Sequence, residues 1–279
     1  MSFLPELIAT AIDGTLVGPD GAVSDRTFRA IDRAREQGIP LVLVTGRSPD
    51  WMLRTAVPMA HDGYAICSAG AFVYDVANRS IVQDRLIPHN SLRQTIDRLS
   101  AVLPGIGFAA ECASGMIYET AYELGDRPPE RIARPLADVS ALAALPVAKL
   151  LARHPRIHAD DLLAEAQRVA GELVSTTRSN APRLIEMTAR GVTRATTLIR
   201  LCEAWGIERD RVVAFGDGTH DLAMLGWAAR GYAMANAHGS VLEATPWRTT
   251  SNAEHGVARV LEELVPPTMR SNAATRTWS

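Results

Sequence analysis

A chain of 279 residues with 47% hydrophobic and 22% charged content has the balance of a folded globular protein. Its length allows two domains, or one domain with a large insertion. A formal charge of −2 argues against nucleic acid or an anionic membrane as the main partner.

The chain opens with an apolar run from Leu7 to Ile12 that stops at Asp13 and turns through Gly14-Thr15. This is the pattern of a buried strand delivering a carboxylate to the edge of a sheet. Alternate strand residues face the same way, so positions 11 and 13 are directed at one spot. Ser24 is placed to cap a helix carrying Phe28, Ile31 and Ala34, with Gly38 as its stop. A second apolar run, Pro40 to Val44, ends on Thr45-Gly46-Arg47, and Ser48-Pro49 starts the next helix. Tyr64 to Ser68 makes a third strand ending in Ala69-Gly70-Ala71. Fully apolar strands alternating with amphipathic helices predict an α/β fold, a doubly wound parallel sheet covered on both faces.

From Phe72 the pattern changes. Phe72 to Asp75 and Ser80 to Val82 form a hairpin around Asn78-Arg79, and a helix follows from Asn90 to Leu103. Short segments then accumulate at 108–111, 115–118, 147–151, 173–177 and 184–187, with a helix from Ala159 to Ala170. They predict an α+β cap inserted at residues 85–182. The parallel pattern returns with a helix from Val192 to Trp205 and a strand from Arg211 to Asp217. The segment from His220 to Leu225 opens a helix, and Gly231 to Ala237 gives one more strand. The core is therefore expected at 1–84 and 183–265, and residues 266–279, short of apolar side chains, as a disordered tail.

In an open parallel sheet, ligands bind beyond the carboxyl ends of the strands. Those ends carry Asp13, Thr45 with Arg47, Ser68, and Asp217 with Asp221 nearby. Carboxylates gathered without cysteine or clustered histidine suit a hard ion such as Mg²⁺, and a hydroxyl with helix N-termini suits phosphate.

The segments 11–15, 44–47, 191–194 and 216–221 resemble the four signature motifs of the haloacid dehalogenase superfamily. Their order, and the large cap between the second and third, is similar to the Cof-type (class IIB) sugar phosphatases. The resemblance runs from about Leu7 to Leu264. It implies a Rossmann-like core, a lid whose loops select a small phosphorylated or anionic metabolite, and Mg²⁺ as cofactor. It also implies roles. Asp13 is the general acid/base, while Thr45, Gly46, Arg47 and Arg194 bind phosphate. Asp13, Asp217 and Asp221 serve the metal.

The match breaks at Ala11, where the family carries its nucleophilic aspartate. A methyl group neither attacks phosphorus nor binds Mg²⁺, so the covalent route is closed and the metal site loses a ligand. Arg194 replaces a lysine, His220 replaces an asparagine, and Ala69 stands where that third strand normally ends in asparagine. A single engineered change would alter position 11 alone; several altered positions together favour natural divergence. On that reading, Asp13 and His220 are candidates for acid–base chemistry without a covalent intermediate. A third reading is a non-catalytic sensor of a phosphorylated ligand.

Elsewhere the plainer readings lead. The basic run from Arg153 to His158 is expected to be a solvated turn, and Trp205, Trp227 and Trp247 packing residues. Glu111, Cys112 and Tyr118 are candidates for substrate contact by position alone. Cys67, Cys112 and Cys202 lack metal-ligand spacing and read as reduced thiols. With neither a signal-like start nor an apolar run near the ~20 residues a bilayer needs, a cytoplasmic protein is expected.

Overall fold

The computed structural model describes residues 3–56, 62–122, 134–136, 139–179 and 181–266. Two sheets organise them. The first begins with β1 (Leu7–Ala11), β2 (Leu41–Val44), β3 (Tyr64–Cys67), β4 (Phe72–Asp75) and β5 (Ser80–Asp84). The second holds β6 (Gly107–Cys112), β7 (Gly115–Glu119), β8 (Arg134–Leu136), β9 (Lys149–Arg153), β10 (Val174–Arg178) and β11 (Leu184–Ala189). The chain then completes the first sheet with β12 (Val212–Gly216), β13 (Arg230–Ala233) and β14 (Trp247–Arg248). Its helices are α1 (Asp25–Glu36), α2 (Pro49–Ala56), α3 (His89–Val102), α4 (Ala159–Ala170), α5 (Arg194–Trp205), α6 (Leu222–Trp227), α7 (Gly239–Ala244) and α8 (Gly256–Leu264).

The first sheet runs β14-β13-β12-β1-β2-β3-β4-β5. It is parallel from β14 to β3, and the hairpin β4–β5 adds an antiparallel edge. Its central strands, LIATA, LVLV and VVAFG, are buried throughout, because both faces are covered and no alternation is needed. Ile8, Leu43 and Phe215 pack on one side with Ala30 and Ala34 of α1 and Val257 and Leu261 of α8. Leu7, Ala9, Val42 and Ala214 pack on the other with Ala195, Leu198 and Leu201 of α5. Helix α1 starts where Ser24 Oγ accepts from the Thr27 N–H at 3.2 Å, and the chain leaves it through Gly38 at φ +76°. Its buried stripe is Thr27, Ala30 and Ala34. Phe28 and Ile31 are only half-buried, a shift of the stripe by one residue from the expected positions.

The second sheet runs β10-β11-β9-β6-β7-β8 and is antiparallel except for the β7–β8 pair. One face packs Phe108, Ala110, Leu150, Ala152, Ile185 and Met187 onto Leu92, Leu99, Leu162 and Ala166 of α3 and α4. The other face turns Glu111, Lys149 and Glu186 toward the first sheet. The α/β core with an inserted α+β cap is thus as expected, with one correction of boundary. The segment 184–189, assigned to the core, is β11, which lies between β10 and β9 inside the cap sheet. Its alternation makes a strand, but periodicity does not say which sheet receives it. The core resumes with α5. The expected disordered tail, beyond residue 266, lies outside the described residues.

The basic run is a structural turn: His154 is buried, and its Nδ1 accepts from the N–H groups of Arg156 (3.1 Å) and Ile157 (3.0 Å). Among the described residues no helix is long and apolar enough to cross a membrane.

Candidate active site

Strand β1 ends at Ala11, which is 3% exposed, and the chain turns at once through Gly14 at φ +73°. A Cβ on Gly14 would lie 2.3 Å from Asp217 Oδ2, so the turn needs glycine both for its conformation and for the approach of that carboxylate. Asp13, just past the strand, is held in a fork by Arg47: Nε donates to Oδ2 at 3.0 Å and Nη2 to Oδ1 at 3.1 Å. The Arg47 guanidinium also lies 4.0 Å above the Trp51 ring, a cation–π contact. Thr45 is buried at the tip of β2, and its Oγ1 accepts from the Arg47 N–H at 3.1 Å, which fixes the loop that carries Gly46.

After β3 the chain reverses with Ser68 at φ 51°, Ala69 at φ 57° and Gly70 at φ 110°. A Cβ on Gly70 would sit 2.4 Å from the Thr193 carbonyl oxygen, and Thr197 donates to the Gly70 carbonyl at 2.7 Å. This close approach seats the start of α5. Thr193 caps that helix, its Oγ1 accepting from the Thr196 N–H at 3.1 Å.

The next residue is Arg194. Its Nη1 donates to Asp221 Oδ1 at 2.7 Å, and its Nη2 lies 2.7 Å from where a Gly46 side chain would begin. Asp221 is wholly buried, and its Oδ2 accepts from the N–H groups of Asp217 (3.3 Å) and Gly218 (3.2 Å). Asp217 Oδ1 accepts from the Thr15 hydroxyl at 2.8 Å. Burial pushes the Asp217 carboxyl up to about 6, with the Thr15 bond opposing the shift. His220 Nε2 lies 3.6 Å from Asp221 Oδ2; burial first, and then Arg194, pull its pKa below the ordinary value.

Asp13, Thr45, Gly46, Arg47, Arg194, Asp217, His220 and Asp221 thus lie along one rim, at the carboxyl ends of β1, β2, β3 and β12, whereas Tyr118 packs within the cap sheet. Asp13 is engaged by Arg47, and His220 lies beside Asp221.

Of the roof over this rim, sequence reasoning named only Glu111. Lys149, buried in β9, donates to the Gly46 carbonyl at 2.6 Å and pairs with Glu111 at 3.0 Å and Glu186 at 3.7 Å. Glu111 also accepts from the buried Ser68 hydroxyl. Burial alone would lower the Lys149 pKa, but Glu111 and Glu186 outweigh it and hold the ammonium above its ordinary value. A lone cation inside Val147-Ala148-Lys149-Leu150-Leu151 was the available signal.

Mg²⁺ is the ion that phosphatases of this superfamily generally use, and the donors here fit it poorly. Ala11 offers a methyl group, Asp13 is forked by Arg47, and Asp221 is bonded to Arg194 and two N–H groups. Among the described residues no group of three or more His, Cys, Asp or Glu is arranged to hold a metal.

Comparison with known proteins agrees with this layout. The chain is 27% identical over 263 residues to the 5-amino-6-(5-phospho-D-ribitylamino)uracil phosphatase YcsE of Bacillus subtilis (strain 168), covering 93% of this chain and 96% of that one. A haloacid dehalogenase-like hydrolase from Bacteroides thetaiotaomicron superposes with a TM-score of 0.76 at 25% identity, covering 93% of this chain and 99% of that chain. A haloacid dehalogenase subclass IIB sugar phosphatase shares the fold with a TM-score of 0.76 at 18% identity, over 92% of this chain and 98% of that one. The profile of the haloacid dehalogenase-like hydrolases matches residues 8–261, and the chain belongs to that family.

Proposed function

We propose that this chain binds a small phosphorylated metabolite at the rim and does not hydrolyse it by the family's covalent route. One observation carries the reading: the methyl group of Ala11 ends β1 where the family places its nucleophile, while the rest of the rim remains charged and ordered. Removing the nucleophile from a cooperative site costs on the order of 10⁴ to 10⁶ in rate, which leaves a binding pocket rather than a competent phosphatase. The Thr45 hydroxyl and the guanidinium groups of Arg47 and Arg194 are the groups that would take the phosphoryl oxygens, through charge-assisted hydrogen bonds. A ligand arriving there shares Arg47 with Asp13 and Arg194 with Asp221.

The substrate class is supported by the relative YcsE, a 5-amino-6-(5-phospho-D-ribitylamino)uracil phosphatase. The buried free thiols of Cys67, Cys112 and Cys202 fit a reducing cytoplasm. Acid–base chemistry by Asp13 with His220 has less support, since Arg47 forks the Asp13 carboxylate.

The test is Ala11→Asp, assayed with a generic phosphate ester and Mg²⁺. The expected result is no measurable hydrolysis by the unaltered chain and a gain in the variant, because the new carboxylate restores both nucleophile and ligand. Hydrolysis by the unaltered chain, abolished by Asp13→Asn, would refute the reading.

A further inference from the structure

We infer that the rim holds its phosphoryl group without a divalent ion, the guanidinium of Arg194 supplying the positive charge. This rests on the reading of the rim as a phosphate site, and its first support is the state of the carboxylates. Both oxygens of Asp13 are taken by Arg47 at 3.0 and 3.1 Å. Asp221 is taken by Arg194 at 2.7 Å and by two backbone N–H groups. Asp217 gives one oxygen to Thr15 at 2.8 Å. A Mg²⁺ site is built from one or two carboxylates together with substrate oxygens. Of these six oxygens Asp217 Oδ2 alone accepts no hydrogen bond among the described residues, and a guanidinium cation is bonded to Asp221, where it competes with an ion for the same charge.

The second support is the reason an ion is needed at all. In the covalent mechanism, the ion relieves repulsion between an anionic nucleophile and an anionic phosphate. Ala11 carries no charge, so that repulsion is absent.

The third is the choice of arginine over lysine at position 194. An ammonium is a point donor, whereas a guanidinium spreads five N–H groups over a planar fork. Nη1 engages Asp221 while Nη2 lies over Gly46, 2.7 Å from where a side chain there would start. A Cβ at Gly46 would push this end of the guanidinium aside. The cation thus lies against Gly46 while it holds Asp221, the fork directing a separate N–H group to each side.

The experiment measures inorganic phosphate binding to the full chain by calorimetry, in EDTA and again in excess Mg²⁺. The dissociation constant is expected to agree within about twofold between the two conditions. In EDTA, Arg194→Gln is expected to weaken binding at least about tenfold, the loss of one charge-assisted hydrogen bond. Arg194→Lys, which keeps the charge, controls for misfolding and should bind between the two. Binding that tightens more than about tenfold on adding Mg²⁺ would overturn the inference and leave the phosphate site standing, as would unchanged binding in Arg194→Gln. No binding in either buffer would overturn the phosphate site itself.

Discussion

The roof is the part of this molecule whose energetics are most exposed to test. Lys149 is 4% exposed in its side chain and faces Glu111 and Glu186, themselves 10% and 17% exposed. Replacing it with methionine keeps most of the apolar stem and removes the charge, so two carboxylates stay behind without their cation. Breaking a buried ion pair by deleting one partner costs roughly 3–5 kcal/mol, and the lost bond to the Gly46 carbonyl adds about 1 kcal/mol. Lys149→Met should therefore lower unfolding free energy by about 5 kcal/mol near neutral pH, read by urea denaturation. The sign with pH follows from what remains. Without Lys149 two buried carboxylates are left without their cation, a strain that protonation at low pH relieves. The deficit should shrink toward pH 4, near the ordinary glutamate value of about 4.3, and adding Glu111→Gln should recover part of it at pH 7. A loss below about 1 kcal/mol at pH 7, or a deficit that does not change with pH, would refute the reasoning.

Asp217→Asn should stabilise the protein at high pH. A carboxyl pushed up to about 6 from 3.8 favours the fold below its unfolded pKa, and that contribution is gone once pH passes 6. The neutral amide still accepts from Thr15, so the gain should reach up to about 3 kcal/mol at pH 8 and vanish at pH 4 in urea titrations; equal stability of the two proteins at pH 8 would contradict this. Gly14→Ala should cost at least about 1–2 kcal/mol for its positive φ alone. Because the new Cβ would lie 2.3 Å from Asp217 Oδ2, it should also displace that carboxylate; chemical denaturation together with phosphate binding would reveal both effects, and a neutral outcome would show that the turn rearranges freely.

What could be read before folding, and what could not, divides along physical lines. Asp13, Thr45 and Asp217 were legible because each ends an apolar run, and parallel strands bring such tips to one edge. The bond between Arg194 and Asp221 was not, although both residues were singled out; it depends on α5 docking against Gly70. Lys149 and Glu186 were invisible as site residues because their meaning is one of register. Lys149 pairs with Glu111 across β6 and β9, a relation fixed only when the cap sheet assembles. The misplaced boundary at 183 has the same origin. Arg47 was expected to serve phosphate; its fork on Asp13 needed a third dimension to be seen.

The position of β11 bears on how this protein could be recombined with its relatives. A chimera joined at residue 183 would set the recipient's β11 between the donor's β9 and β10, so the interior strand of the lid sheet would come from the wrong parent. A junction in the short stretch between Ala189 and Arg194 transfers the lid whole. The swap then exchanges Glu111, Lys149 and Glu186 as one set while leaving the arginine at the head of α5 untouched, so the two halves of the site can be varied one at a time.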